Sequence, residues 1–477
     1  MKIPTDRPYV LLDDARMHGA SPARLYTDPV EILTANSVDE VDAVVDALRD
    51  AQRGGLHAAG FLGYECGQHF LPNLGQERSG PLAWFGLFRS YSTISADVVP
   101  SYLPDPAGAY LSALRPTISR AEYGDAFAAV QDFIHAGDIY QANLTFPLSA
   151  DYAGDPLALY AALRGRAKAG YGGVIYTGDA HYLSFSPELF FALKGQRVTT
   201  KPMKGTAQRQ ADPQRDRDVA ERLRTDPKQR AENLMIVDLL RNDLSRVCAA
   251  GSVAVPDLFH VESYPTVHQM TSTVTGVLNE GLDAVDVITA LFPCGSITGA
   301  PKIRAMQVVE EVETAPRGIY CGSIGRIDAN GDAAFNVAIR TFTLCDTTKT
   351  LSIGLGSGVV ADSHEADEWA ECLAKGDFAK VDDTGFDLIE TMRFEPMAGI
   401  LRLELHLERM KTSAQLFGFE FDRHTLRNRL HASIFHLNQF SKIRLMVSRH
   451  GAVAIEISPL HDVTDWRVAV VRSEEHT

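Results

Sequence analysis

Between residues 118 and 376, strand-like apolar runs follow one another with few residues between them, and this restricts the possible folds most. The runs 173–177, 182–186 and 189–193 come in direct succession, and 319–327, 335–344 and 351–360 do so again. Amphipathic helices intervene irregularly, so strand–strand steps outnumber strand–helix–strand steps. That balance predicts a mixed α/β sandwich with largely antiparallel sheets rather than a doubly wound fold. Ser119 followed by Glu122 is a capping-box pattern that opens a helix through about His135. Over 228–247, Val237, Leu240, Leu244 and Val247 fall on one helical stripe.

Ahead of this region, residues 1 to about 100 alternate short apolar runs with turn residues and hold one helical stretch near 38–52; the Pro-, Ala- and Gly-rich segment 101–117 reads as a surface connection. Residues 377–385 form a polar linker, and a fresh strand-like start follows over 386–472. A chain of 477 residues has room for two or more domains. Its net charge of −15 argues against nucleic-acid and membrane-surface partners. No stretch approaches 18 apolar residues, and the N-terminus lacks the apolar core of a signal peptide. The six cysteines lack CxxC pairs, which predicts reduced thiols in a cytoplasmic protein.

Several segments carry groups suited to chemistry. Lys204, in Lys201-Pro202-Met203-Lys204-Gly205-Thr206, lies at a strand end or tight loop, where it could be a surface cation, an anion clamp or a nucleophile. Glu188, in Ser186-Pro187-Glu188, has a similar strand-to-turn setting; an amine and an acid on adjacent strands suit attack on a carbon with protonation of a leaving group. In a helix over 367–375, Glu368, Glu371 and Lys375 share one face, as a solvated face with a Glu371–Lys375 pair also would. The preceding Gly354–Ser363 segment reads as a strand breaking into a glycine-rich turn that brings N–H groups near an anion, with Asp362 and Glu365 capping the helix. Glu232 lies by an apolar helical stripe, and carboxylates from two helices are a common Mg²⁺ setting. The loop from Phe292 to Lys302 misses the GxxxxGK[ST] spacing but could grip a carboxylate. Arg340, after Phe335-Asn336-Val337-Ala338-Ile339, could clamp a carboxylate or be a surface arginine.

Taken together, the segments Gly137–Leu144, Ser186–Leu189, Ala231–Asp243, Gly295–Lys302, Arg317–Gly322 and Gly354–Lys375 resemble the chorismate-utilising enzymes over roughly 118–376. The resemblance implies two antiparallel sheets flanked by helices, with residues 1–117 as the N-terminal part of that sandwich. It also implies Mg²⁺ held by Glu232, Glu368 and Glu371. Gln141, Thr206, Thr298, Gly299, Tyr320, Arg340, Gly356, Ser357 and Lys375 would bind substrate, with Lys204 as nucleophile and Glu188 as general acid. Gln141 together with Lys204 resembles the aminodeoxychorismate synthase branch, and the anthranilate synthase branch is the alternative. The former implies conversion of chorismate and ammonia to 4-amino-4-deoxychorismate on the route to 4-aminobenzoate and folate. Ammonia would come from a separate glutamine amidotransferase subunit, since no GxCxG glutaminase signature is present. A non-catalytic metabolite-binding subunit is the reading from another class, opposed by the intact acid and lysine set. His268 is expected only to line the site.

Residues 386–472 resemble the N-terminal half of class IV PLP-dependent enzymes such as aminodeoxychorismate lyase, on Asp387–Arg393, Leu403–Ala414 and Phe417-Gly418-Phe419. The resemblance makes Arg409 a PLP-phosphate contact. The Schiff-base lysine of such enzymes normally lies beyond Thr477, so neither stable PLP binding nor lyase activity is expected. Residues 473–477 resemble a translated sequencing-adapter fragment.

Overall fold

The computed structural model describes residues 3–71, 74, 81–210, 212–263, 267–380, 386–417, 419–448 and 451–460. Residues 381–385 of the expected linker, 461–472 of the C-terminal segment and the tail 473–477 lie outside the described residues. The chain divides into two compact units, Met1–Val381 and Asp382–Thr477.

In the first unit every strand pairing among the described residues is antiparallel, as the short gaps between runs require. An 11-stranded sheet follows the order Gly299–Ala300, Gln141–Gly154, Thr350–Val359, Thr341–Cys345, Ala180–Ser186, Tyr171–Tyr176, Tyr9–Asp13, Ala23–Thr27 and Ser92–Ile94. A 10-stranded sheet follows Met203–Gln208, Val267–Val277, Arg197–Lys201, Leu189–Lys194, Ala333–Asn336, Ser323–Ile327, His57–Leu62, Ala83–Phe88 and Glu31–Ala35. Val10, Phe61, Ile175, Tyr182 and Ile324 fill the space between the sheets. Helices Val41–Arg53, Pro227–Ser245 and Ala284–Leu291 cover the outside of the 10-stranded sheet, and Arg120–His135, Pro156–Ala167, Lys302–Val312 and Glu365–Lys375 cover the other. The layers run helix, sheet, sheet, helix, each apolar face buried against the next.

Three local expectations change. The segment 101–117 is more than a surface connection: Ala109–Leu111 and Arg115–Pro116 pair with Gln141–Gly154. The run 335–344 is two strands, one in each sheet, because the chain crosses between sheets at 337–340, where Arg340 takes φ 50°. Residues 186–189 cross beside it, and Ser186 Oγ donates to Val337 O (2.6 Å) while Val337 N donates to Glu188 O (3.1 Å). Lastly, the strand expected over 351–360 forms as Thr350–Val359 and takes in Gly354, Gly356 and Gly358, so the turn before the helix falls after these glycines. Helix Glu365–Lys375 has His364 at its N-cap with no side-chain cap; Asp362 instead pairs with Lys228 (2.9 Å) and Glu365 with Arg120 (3.0 Å).

The capping box at Ser119 forms as expected: Ser119 N donates to Glu122 Oε2 (2.6 Å) and Glu122 N to Ser119 Oγ (3.2 Å). In the second unit, strands Gly399–Ile400, Leu388–Glu395, Ser441–Val447 and Val453–Pro459 form one antiparallel sheet. Helices Leu403–Phe417 and Arg423–Ile434 share its core through Leu407, Met410, Leu426 and Leu430.

Candidate active site

Glu188 stands where the chain passes from the 11-stranded to the 10-stranded sheet, so both layers bury it. Ser296 Oγ donates to its Oε1 (2.8 Å), the Met203 backbone N–H donates to it, and Lys204 is the nearby cation. Burial outweighs these contacts and pushes the carboxyl up to about 7. An acid of that strength is half protonated near neutrality, as a proton donor at that pH should be.

Burying a group in its neutral form links stability to pH. The folded state holds the Glu188 proton up to about pH 7, whereas an unfolded glutamate releases its own near 4.3. Stability from this group is therefore complete at low pH and is lost as pH rises through 7. Glu188→Gln is expected to raise stability at pH 8.5 by roughly 3–4 kcal/mol and to change it little at pH 4. Denaturant unfolding at the two pH values checks this; an equal effect at both would contradict it.

Lys204 lies on the edge strand Met203–Gln208, held from behind by a buried relay. Asn233 Nδ2 donates to Lys204 O (3.3 Å), and Ser272 Oγ donates to Asn233 Oδ1 (2.6 Å). Its amine stands 3.4 Å from Glu232 Oε2. A Cβ at Gly358 would lie 2.5 Å from Lys204 Nζ and 3.0 Å from Gln141 Nε2. Gly354, Gly356 and Gly358 share one strand face, and their missing side chains admit the Tyr320 ring, Thr145 and the Lys204 amine in turn. Gln141 is wholly buried, and among the described residues neither amide atom has a hydrogen-bond partner. Buried polar atoms are rarely left so, and both amide atoms remain available to a polar ligand. Gly358→Ala is expected to cut turnover at least tenfold by displacing the amine, with a melting temperature within a few degrees of the parent, since only a flexible side-chain end must move. Steady-state kinetics and a thermal melt separate the two effects.

The other expected residues fall into groups. The 295–301 loop is zipped to the Gln141 strand, with Gly299 opposite Ala142 and Ala300 opposite Gln141; Asn143 N donates to Thr298 O (2.9 Å). Lys302 is buried and anchors this loop through Asp243 Oδ2 (2.6 Å) and Leu291 O (2.9 Å). Lys375 Nζ donates to Gly356 O (2.7 Å) and pairs with Glu371 (2.8 Å). Tyr320 lines a cavity of about 90 Å³ with Tyr123, Thr145, Arg317 and Gly354. None of the expected residues lines a larger cavity of about 360 Å³ near Asp14, Arg24 and Asn336. Ser357 is buried on the strand face opposite Gly356, because successive strand side chains alternate. Thr206 is exposed and donates to Gln269 Oε1 (2.9 Å), and the Arg340 guanidinium lies over Phe378. His268 is held between Ser263 Oγ (2.8 Å) and Asp216 Oδ1 (3.0 Å).

Among the described residues, no three His, Cys, Asp or Glu side chains are gathered to hold a metal ion. Glu232 instead meets Lys204, Glu371 meets Lys375, and Glu368 Oε1 accepts from Ser363 Oγ (2.6 Å). The three acids do share one field. Glu232 and Glu368 both act on Lys228. Burial works to raise the Glu371 carboxyl, yet Lys375, Lys204 and Lys228 together hold it below its usual range. Hard oxygen donors of this kind fit Mg²⁺. In the second unit, Arg409 Nε donates to Glu390 Oε1 (2.6 Å) and its Nη2 bonds the same carboxylate, which His406 also contacts (2.7 Å). The guanidinium is thus engaged by a carboxylate on one edge and is otherwise exposed.

Residues 7–380 match the family model described as chorismate binding enzyme, and the chain belongs to that family. Residues 387–466 match amino-transferase class IV. Within the family the chain is similar to aminodeoxychorismate synthase component 1 of Salmonella typhimurium, with 44% identity over 264 residues, 55% of this chain and 58% of that protein. Anthranilate synthase component 1 of Thermus thermophilus is 40% identical over 257 residues, 54% of this chain and 55% of that one. The chain thus spans a little over half the length of these relatives. The crystal structure of anthranilate synthase component I from Streptococcus pneumoniae superposes with a TM-score of 0.65 at 26% identity, over 76% of this chain and 93% of that one. Among the described residues, no helix is long and apolar enough to cross a membrane.

Proposed function

We propose that this chain acts as an aminodeoxychorismate synthase, forming 4-amino-4-deoxychorismate from chorismate and ammonia through a covalent lysine intermediate. One arrangement carries the reading: the Lys204 amine enters the notch over Gly358 beside Gln141, with the buried, near-neutral acid Glu188 acting on the same strand. Lys204, as the free amine, attacks C2 of chorismate; the ring double bonds shift and the C4 hydroxyl leaves as water with the proton of Glu188. Ammonia then adds at C4, the electron shift reverses, and the C2–lysine bond breaks. Gln141 would offer its unpartnered amide to the substrate, and Lys375 with the Gly299 and Gly356 backbone would orient the carboxylates.

Glu232, Glu368 and Glu371 would hold Mg²⁺, which neutralises the ring carboxylate of a dianionic substrate. Glu232, if engaged there, would give up its pairing with Lys204 and leave the amine to the substrate. A glutamine amidotransferase subunit would supply the ammonia. Mass analysis of the product from chorismate, Mg²⁺ and ammonium tests the reading. The expected product retains the enolpyruvyl group. Loss of pyruvate would assign the anthranilate reaction instead, and unchanged chorismate would remove the enzymatic reading.

A further inference from the structure

We propose that Ser296 is a positioning residue for the acid Glu188, and that Cys294 extends its control one bond further into the core. The inference rests on the assignment of Glu188 as general acid. Ser296 lies in the short 3-10 turn Gly295–Ile297, inside the loop zipped to the Gln141 strand. Its hydroxyl donates to Glu188 Oε1 at 2.8 Å and lies 3.2 Å from Cys294 Sγ. Cys294 is buried, and burial pushes its thiol up to about 12, so at working pH it keeps its hydrogen and can donate to Ser296 Oγ. Thiol, hydroxyl and carboxyl then form one chain of donors ending on Glu188. The groups acting on Glu188 are this hydroxyl, the Met203 N–H and the Lys204 charge, and Cys294 responds to Glu188 in turn.

The chain has two consequences. Ser296 fixes one carboxyl oxygen, so the acid cannot rotate freely at the crossing. It also stabilises the ionised form, which lets an acid in a dry crossing recover its charge after giving up its proton.

Infrared titration of the free protein tests this without substrate. The protonated Glu188 band is identified by its loss in Glu188→Gln, and its midpoint is expected near pH 7. In Ser296→Ala the midpoint is expected to rise by about one pH unit, as loss of a donor to a carboxylate requires. Ser296→Thr should restore it, and Cys294→Ala should raise it by less. In turnover, the alkaline limb of kcat/KM should move with the midpoint, whereas a merely structural role would lower activity without moving it. A midpoint in Ser296→Ala or Cys294→Ala identical to the parent, or no Glu188-dependent band, overturns the proposal. Should Ser296→Ala not fold, the isosteric Ser296→Cys, a weaker donor, must still raise the midpoint. A shifted midpoint in a protein inactive on chorismate would leave the positioning role standing and remove the reaction assignment instead.

Discussion

Lys204→Ala is expected to abolish formation of 4-amino-4-deoxychorismate in an ammonia-fed assay, with a loss of at least about 10³-fold, or roughly 4 kcal/mol of barrier. Loss of a clamp or a surface cation would cost far less, because in the proposed reaction Lys375 and the loop backbone would also bind substrate. The replacement removes the amine that enters the Gly358 notch, and among the described residues the neighbouring lysines are engaged elsewhere: Lys228 pairs with Asp362, and Lys375 with Glu371 and Gly356 O. Folding should be little affected, since the residue sits at a sheet edge and is partly exposed. Turnover within tenfold of the parent would exclude the nucleophile. A shift of product to anthranilate would support it, because direct ammonia addition at C2 then replaces attack by the lysine.

The second large effect concerns stability. Arg317 is buried beneath the site and bonds Glu313 through Nε (2.9 Å) and Nη2 (2.8 Å), Ile297 O (3.0 Å) and Asn143 O (2.6 Å), with its guanidinium over the Tyr64 ring. Ile297 belongs to the Ser296 loop and Asn143 to the Gln141 strand, so a single side chain holds both walls of the site. Arg317→Met is expected to cost about 3–5 kcal/mol, because it leaves Glu313 and two carbonyls buried without their cation. Adding Glu313→Gln should recover part of that loss by removing the charge that Arg317 balanced. Equilibrium unfolding in urea would measure both, and a cost below about 1 kcal/mol for the single variant would disprove the keystone role.

Much of the architecture was legible along the chain. The close succession of apolar runs demanded antiparallel pairing, and the Ser119–Glu122 box and the Val237–Leu244 stripe placed two helices within a few residues of their ends. Local pattern failed where a residue's conformation depends on distant neighbours. Alternation cannot reveal that 335–344 changes sheets at Arg340. Nor does glycine content distinguish a turn from a strand whose face must admit Tyr320 and Lys204.

The site divides along the same line. Glu188, Lys204, Glu232 and Lys375 could be named from segments of the chain, since each is a chemical type in a recognisable local setting, whereas Gln141 was named only through the family resemblance. Their relations could not. Ser296 lies 108 residues from Glu188, and its role appears only once the two sheets bring their segments to hydrogen-bonding distance. The acids expected to share a metal were found paired with lysines and a serine, because long charged side chains settle on whichever partner the packed helices bring near. For Lys204, the sequence determined an amine on a strand end and the company of Gln141. Only the tertiary structure decided that this amine enters a notch left by Gly358 and that its charge acts on the buried Glu188, because desolvation and steric space are properties of the packed layers and not of any one segment.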